Sequence, residues 1–439
     1  MQLCAIRPPV SARQPDFWKF FTGQTLSNLG SSFTGFALPL LVYKLTGSPV
    51  NLAATTAAYF LPYLLFGLVI GAWVDRVDRK RMMIAVDLGR AAVIASIPVL
   101  SYADALSVWW IYAGAFLTAC LTIAFDAGEF AAVPSLVGKD DLVTANGRIM
   151  ASYQSAQIAG PLLAGVLIAT VSIEELFLVD AGSFVVSATS LALIARSFNP
   201  EQPAEKKHIL RDVSEGLRYV LGHPVLRNIS LMMALVNFVG STTFAQLVLF
   251  GKIRLDASDS RVGFLFAAGS AGIAVIGLAA GAIRRRLSFS VAALGGLMLS
   301  SALTVVFAVN TSYWVALVLW AGMAGFGLFF NINTTSLRQA IVPSHMLGRV
   351  VSIAGVLAWS AIPAGTLVGG AVIDATDNVA LVYGAIGGIE LAIAAFFWLF
   401  TALGRAEQYL PTGEAPPEPE PVPVVTTTFE EAPASRTGD

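Results

Sequence analysis

The sequence predicts an all-α membrane protein, with twelve transmembrane helices in two six-helix bundles and both termini on the cytoplasmic side. Three observations lead there. Of 439 residues, 56% are hydrophobic and only 13% charged, where a soluble domain carries roughly 25% charged residues. The apolar residues gather into runs of about 20, the length that crosses a bilayer as a helix. The runs form two sets, separated by a stretch too charged to sit in lipid, RSFNPEQPAEKKHILRDVSEGLRYVLGHPVLR.

Along the chain, the segment 1–16 is broken by Pro8, Pro9, Arg13 and Asp16. It lacks the uninterrupted apolar core of a secretory signal peptide, so it is expected to stay as a cytoplasmic N-terminal segment. Residues 17–196 hold six spans, beginning near Phe17, Val50, Met82, Ser107, Leu142 and Leu176. Residues 197–227 form a cytoplasmic linker in which Val213, Leu217, Val220 and Leu221 recur at helical spacing. That pattern suits an amphipathic helix along the membrane surface, or a solvated connector. Residues 228–404 hold six more spans, beginning near Asn228, Arg261, Phe289, Ser312, Gly348 and Asn378. The tail 405–439 is rich in Pro and Glu and poor in large apolar residues, a composition that predicts disorder.

Cation placement sets the expected orientation. With the N-terminus inside, 23 of the 27 Lys and Arg residues fall on the cytoplasmic side, leaving Lys44, Lys252, Arg254 and Arg261 outside. The two halves also repeat each other. Gly67 and Gly71 recur 210 residues on as Gly277 and Gly281, each pair followed by a basic cluster. Pro134 recurs as Pro343 at 209, and Gly147-Arg148 as Gly348-Arg349 at 201. Parallel repeats related by an axis along the membrane normal are a transporter architecture, though short Gly- and Ala-rich strings also match by chance.

Composition excludes several classes. A net charge of -1 gives no basic surplus for nucleic acid. Cys4 and Cys120 allow at most one disulfide, and no Cys/His cluster suits a metal. The imidazoles are His208, His223 and His345, and no GxxxxGK[ST] stretch cradles a nucleotide. No nucleophile, base and orienting acid stand at a recognisable spacing, so no enzyme, cofactor or metal centre is expected.

The most specific local pattern is Gly71-Ala-Trp-Val-Asp75-Arg76-Val-Asp78-Arg79-Lys80-Arg81, between the second and third spans. It resembles the GxLADRxGRKxxL loop of the major facilitator superfamily, with Gly71, Asp75, Arg76, Arg79 and Lys80 matching and Asp78 in place of a Gly. Positive-inside bias alone would account for Arg76, Arg79, Lys80 and Arg81. It does not call for an acid at Asp75 or a Gly four residues earlier. Gly71 lets helix backbones approach, and Asp75 can accept charge-assisted bonds, so the loop reads as a conformational latch of one bundle on the other. Asp126 and Glu129, at the inner end of the fourth span, are expected within its reach.

In the fifth span, Ala156-xxx-Gly160-Pro161-xx-Ala164-Gly165 resembles the exporter pattern GxxxGPxxGG with two glycines replaced by alanine. Pro363, Gly365, Gly369 and Gly370 echo it in the eleventh. A simple packing helix would use the same residues. Together with VPSLVGKDDLVTANG, FLVDAGSFVVSATSLALI and EGLRYVLGHPVLR, these motifs make the chain up to about Arg405 similar to the drug-efflux branch that includes macrolide efflux proteins and enterobactin exporters.

That resemblance implies two bundles rocking about a cavity lined by the first, fourth, seventh and tenth spans. Polar residues there are the candidate substrate sites: Gln24, Asn28, Thr34, Asn237, Gln246, Asn331 and Asn333, with aromatics such as Trp320 and Phe330 as walls. Asp87 and Arg90, three apart, face the same way and suit a structural pair. Asp180 and Glu390 lie on support helices, their roles open between proton carriage and structure.

The resulting expectation is a secondary active exporter of an amphipathic small molecule (a drug, antibiotic or siderophore-like metabolite), working as a monomer in the cell inner membrane with protons as the coupling ion. Proton antiport comes from the branch alone, because the fourth span carries no Arg. An importer of the same fold and a non-transporting scaffold or sensor stay open as alternatives.

Overall fold

The computed structural model describes residues 15–74, 76–137, 142–199 and 209–409. All regular structure within them is helical, as hydrocarbon demands of a spanning backbone whose N–H and C=O groups find no water. The first half holds α1 (Pro15–Thr46), α2 (Pro49–Val74), α3 (Arg79–Tyr102), α4 (Val108–Leu136), α5 (Leu142–Leu167) and α6 (Ile173–Ala192). After α7 (Ile209–Gly222), the second half holds α8 (Pro224–Ala245), α9 (Leu247–Ile253), α10 (Asp259–Arg284), α11 (Phe289–Val309), α12 (Tyr313–Ile341), α13 (Ser344–Trp359), α14 (Ala361–Thr376) and α15 (Val379–Phe400). A 3-10 segment, Ala402–Tyr409, follows.

Among the described residues, ten helices are long and apolar enough to cross a membrane, with α13 and α14 contributing to one of them. α1 and α5 fall outside that set. α1 carries Asp16, Lys19 and Lys44 together with a line of small polar residues, and α5 carries Asn146, Arg148, Gln154 and Gln157.

Short connections end on side-chain caps. Asp78, Ser107, Ser172, Ser258 and Ser288 each accept a bond from a first-turn N–H of the helix that follows. Ser172 and Glu175 do so reciprocally, as a capping box. Gly47, at φ 61°, makes the tight turn from α1 to α2.

In the first half, α1 packs against α5 and α6, α3 against α4 and α6, and α2 against α4. In the second, α10 and α11 pack against α12, α11 also meets α15, and α14 and α15 lie on α8. We call the end where α1 begins proximal and the end where α1 finishes distal. At the distal end a single apolar core runs through both halves, from Phe33, Phe36, Leu40 and Phe177 to Phe250, Phe266, Phe307 and Tyr383. At the proximal end the cores are separate. One lies around Phe20, Met83 and Phe125 in the first half, and another around Met232, Leu297, Phe330 and Phe397 in the second.

The linker helix α7 is covered by protein on part of its apolar face, while Leu221 is 49% exposed. Val220 and Leu217 sit against Val342 and against Met346, Val350 and Ile353 of α13. Burying that stripe removes apolar surface from water at roughly 25 cal/mol per Å². Of the tail expected to be disordered, residues 405–409 belong to the 3-10 segment, where Ala406 is buried, and the rest lies outside the described residues.

Candidate functional site

The halves meet through α2 on α14 and α5 on α10. Glycines make the distal contacts possible. A Cβ on Gly165 of α5 would stand 3.1 Å from Gly263 Cα of α10, so the two backbones touch. Gly370 of α14 lies against Ala53 and the Pro49 carbonyl of α2, and Gln246 Nε2 donates to that carbonyl at 2.7 Å. Phe36 and Phe266 stack edge to face at 5.8 Å. Midway down, Ser270 Oγ donates to the Gln157 carbonyl at 2.7 Å, and Tyr63 meets Trp359 with ring centroids 6.0 Å apart.

Beyond that level the same stripes lose their partners. One and two turns past Gln157, Tyr153 and Met150 are exposed, and three turns past Ser270 a Cβ at Gly281 would meet nothing within 4 Å. On α2, a Cβ at Gly67 would meet nothing within 4 Å. On α4, Asp126 and Phe130 are uncovered, as are Asn331 and Thr335 on α12. The halves thus form a crevice closed distally and splayed proximally.

The candidate cavity residues divide. Gln24 is buried and donates to Ser187 Oγ of α6 at 2.9 Å. Thr34 donates to Asp180 Oδ2 of α6 at 2.5 Å. Both fasten α1 to α6 within the first half, because a buried polar side chain takes a partner on the neighbouring helix. Gln246 is fully buried at the contact between halves. Asn333 is buried and donates to the Phe329 carbonyl of its own helix at 2.7 Å. Asn237 donates to the Ala358 carbonyl at 2.9 Å. Asn331 is exposed, and Asn28 is half-buried.

The glycines of the helix-packing set sit at crossings. Gly160 lies against Ser32 of α1, Gly365 against the Phe238 backbone of α8 and Gly369 against Thr242. Pro161 lies inside α5, and Pro363 is buried within α14.

In the loop between α2 and α3, expected to latch one bundle on the other, the described bonds run to the segment after α6. Asp75 lies outside the described residues, and so do the surroundings of Gly71. Lys80 donates to the Ile194 carbonyl, Arg79 Nη1 to the Phe198 carbonyl at 3.4 Å, and Arg79 N–H to Asn199 at 3.1 Å. These acceptors follow the α6 C-cap Leu193, in the same half as the loop. Carbonyls there stand outside the helical ladder and are open to donors from the basic cluster. Arg76 is exposed. Asp126 and Glu129 have no hydrogen bond or ion pair among the described residues, so neither is bound to this loop.

Lys44, Lys252 and Asp259, which sequence reasoning passed over, converge at the distal end. Nothing local announces them, since Lys44 lies far from the others along the chain. Among the described residues no His, Cys, Asp and Glu side chains gather to hold a metal ion.

A crevice between two like halves, closed at one end, is the frame of a membrane transporter. The chain belongs to the Major Facilitator Superfamily, whose family model matches residues 20–366. It is 30% identical over 358 residues to the multidrug efflux pump Tap of Mycolicibacterium fortuitum, covering 79% of this chain and 86% of that protein. It is 23% identical over 356 residues to macrolide efflux protein A of Streptococcus pyogenes, covering 80% and 87%. It is 26% identical over 358 residues to the enterobactin exporter EntS of Escherichia coli O1:K1 / APEC, covering 76% and 80%. The fold is similar to the crystal structure of a bacterial homologue of the human lysosomal transporter Spinster in an inward-facing, occupied conformation. The TM-score is 0.71 at 14% identity, over 91% of this chain and 98% of that one. This protein is therefore a multi-pass membrane transporter, not an enzyme.

Proposed function

We propose that the chain is a secondary active exporter of an amphipathic small molecule, a drug, antibiotic or siderophore-like metabolite, working by alternating access with inward proton flow. The observation that carries this reading is the apolar core, joined across the halves distally and divided proximally. A molecule built to rock needs one closed end and one open end, and interfaces of this kind are bistable.

In this reading α1 and α5 also cross the bilayer, their polar residues facing neighbouring helices, which brings the spans to twelve. The proximal end is cytoplasmic, both termini lie inside, and the crevice opens to the cytoplasm. The protein acts as a monomer in the inner membrane. Asp126 and Glu129 are the proton carriers, supported by the placement of Asp126 on the uncovered face of α4 and by their lack of a fixed partner. Asn28, Asn237 and Asn331 offer hydrogen bonds to the ligand. Asp75 acts in a latch of one bundle on the other, and Asp75→Asn is expected to lower export while leaving protein in the membrane.

The test is accumulation of a chemically varied compound panel in cells with and without the protein, each with and without an uncoupler. Lower accumulation that the uncoupler abolishes is expected. Equal accumulation across the panel overturns export, and higher accumulation makes the protein an importer.

A further inference from the structure

Asp259 opens α10 in the second half, and its two oxygens are claimed from opposite sides. Oδ2 meets Lys44 Nζ, from the end of α1 in the first half, at 2.6 Å. Oδ1 meets Lys252 Nζ, from α9 in its own half, at 2.5 Å. The Lys252 pair is held by local structure, since Ala257 N–H closes the α9–α10 turn onto the Gly251 carbonyl at 2.9 Å and Ser258 caps α10. Parting of the halves would therefore separate Lys44 from Asp259 and leave Lys252 beside it.

The neighbouring charges do not compete. Arg261 lies over the Tyr313 ring at 5.2 Å, and Arg254 donates to the Val309 carbonyl at 3.3 Å. Arg254 is the position to which the repeat offset of 210 carries Lys44, and it bonds a carbonyl rather than an acid, so the Lys44–Asp259 pair is not repeated with the halves exchanged.

We propose that Asp259 is a shared carboxylate that gates the distal end, with Lys44 as the closing charge and Lys252 as a built-in counterweight. The inference rests on the alternating-access reading. Two ammonium groups flank one carboxylate, so Lys44 gains attraction from Asp259 and loses part of it to repulsion from Lys252. The two lysines touch the same acid yet act with opposite sign on the opening. Lys252 keeps the gate weak enough to release, as a transporter that must visit both states requires.

The side chains of Lys44, Asp259 and Lys252 are 45%, 27% and 18% exposed. Each change should therefore shift the open-to-closed ratio by roughly two- to fivefold, the range of partly exposed ion pairs, and salt should mimic loss of Lys44.

The experiment places spin labels at Thr170→Cys and Thr311→Cys, exposed distal positions in opposite halves, in full-length protein with Cys4 and Cys120 replaced by alanine. Distances are read by double electron–electron resonance in lipid nanodiscs. Lys44→Gln and Asp259→Asn should raise the parted population, Lys44→Glu should raise it further, and Lys44→Arg should leave it near that of the parent. Lys252→Gln should lower it.

A Lys252→Gln variant that parts like Lys44→Gln overturns the proposal, and so does a distribution that stays closed in Lys44→Glu. Accumulation assays on the same variants separate the two ideas. Export that continues in a Lys44→Glu protein with a closed distribution sinks the gate alone, while absent export and absent parting sink the transporter reading with it.

Discussion

At the scale of single residues, the first half is held by a buried polar chain rather than by apolar contact alone. Gln24 of α1 donates to Ser187 of α6 at 2.9 Å, Ser187 donates to Asp87 Oδ2 of α3 at 2.6 Å, and Arg90 pairs with Asp87. The Arg90 guanidinium also lies over the rings of Phe125 and Phe184, at 4.3 and 4.4 Å from their centroids. Removing one partner of a buried ion pair strands the other charge. Asp87→Ala should therefore cost about 3–5 kcal/mol, whereas exchanging both partners for apolar residues of similar volume is often neutral. Thermal unfolding in detergent should show a large loss for Asp87→Ala and recovery of most of it in Asp87→Leu/Arg90→Met. A double variant no more stable than the single one would mean the pair is not the source of the loss. Asp87 and Arg90 are legible in sequence because three residues separate them on a helix. Ser187 and Gln24 are not, since they lie 100 and 163 residues from their partners.

At the scale of elements, helix existence follows from hydropathy and the breaks within helices do not. The eleventh expected span is two helices, α13 and α14, meeting at Ser360, and the seventh breaks at Gln246 into α8 and α9. An apolar run looks the same whether straight or broken. What permits the second break is remote, for Tyr383 of α15 donates to the Thr243 carbonyl at 2.5 Å. The 3-10 segment is equally hidden. Its Glu407 accepts from Ser290 N–H at 2.9 Å and from Ser290 Oγ at 2.8 Å, satisfying an orphan donor at the start of α11. Burial pushes the Glu407 carboxyl up, but the bonds from Ser290 outweigh it and hold the group below its ordinary value of 4.5. A carboxyl depressed on folding stabilises above its unfolded pKa and loses that contribution as pH falls through the folded one. Hydrogen exchange at residues 402–409 should thus report tighter docking at neutral pH than below the ordinary carboxylate range. Glu407→Gln should be loose throughout and nearly flat with pH in that window. An unchanged pH response in Glu407→Gln would assign it to another group.

At the scale of the whole molecule, the two halves and their repeat are legible because the offset near 210 survives in Gly67, Gly71, Gly277 and Gly281. Which end closes is not, because closure depends on where two surfaces happen to touch. One close touch is Gly165 on Gly263, where a Cβ on Gly263 would stand 2.6 Å from Gly165 Cα. Any side chain at Gly165 must push α10 away. Overpacking of this kind costs about 1–3 kcal/mol, and since about 1.4 kcal/mol is tenfold in an equilibrium, Gly165→Ile should move the population substantially toward distal opening. Neither half needs to unfold, because position 165 meets the other half rather than its own core. If the halves rock, parting of the distal ends closes the proximal ends over Gly281, which lies five turns from Gly263 on the same α10 face and whose Cβ would now meet nothing within 4 Å. Maleimide labelling of Gly281→Cys should therefore slow in the Gly165→Ile background relative to Gly281→Cys alone. Gly165→Ala, with a single methyl against a backbone 3.1 Å away, should fall between them. If labelling is equally fast in all three, opening at one end is not coupled to closing at the other, and the halves do not rock as rigid bodies.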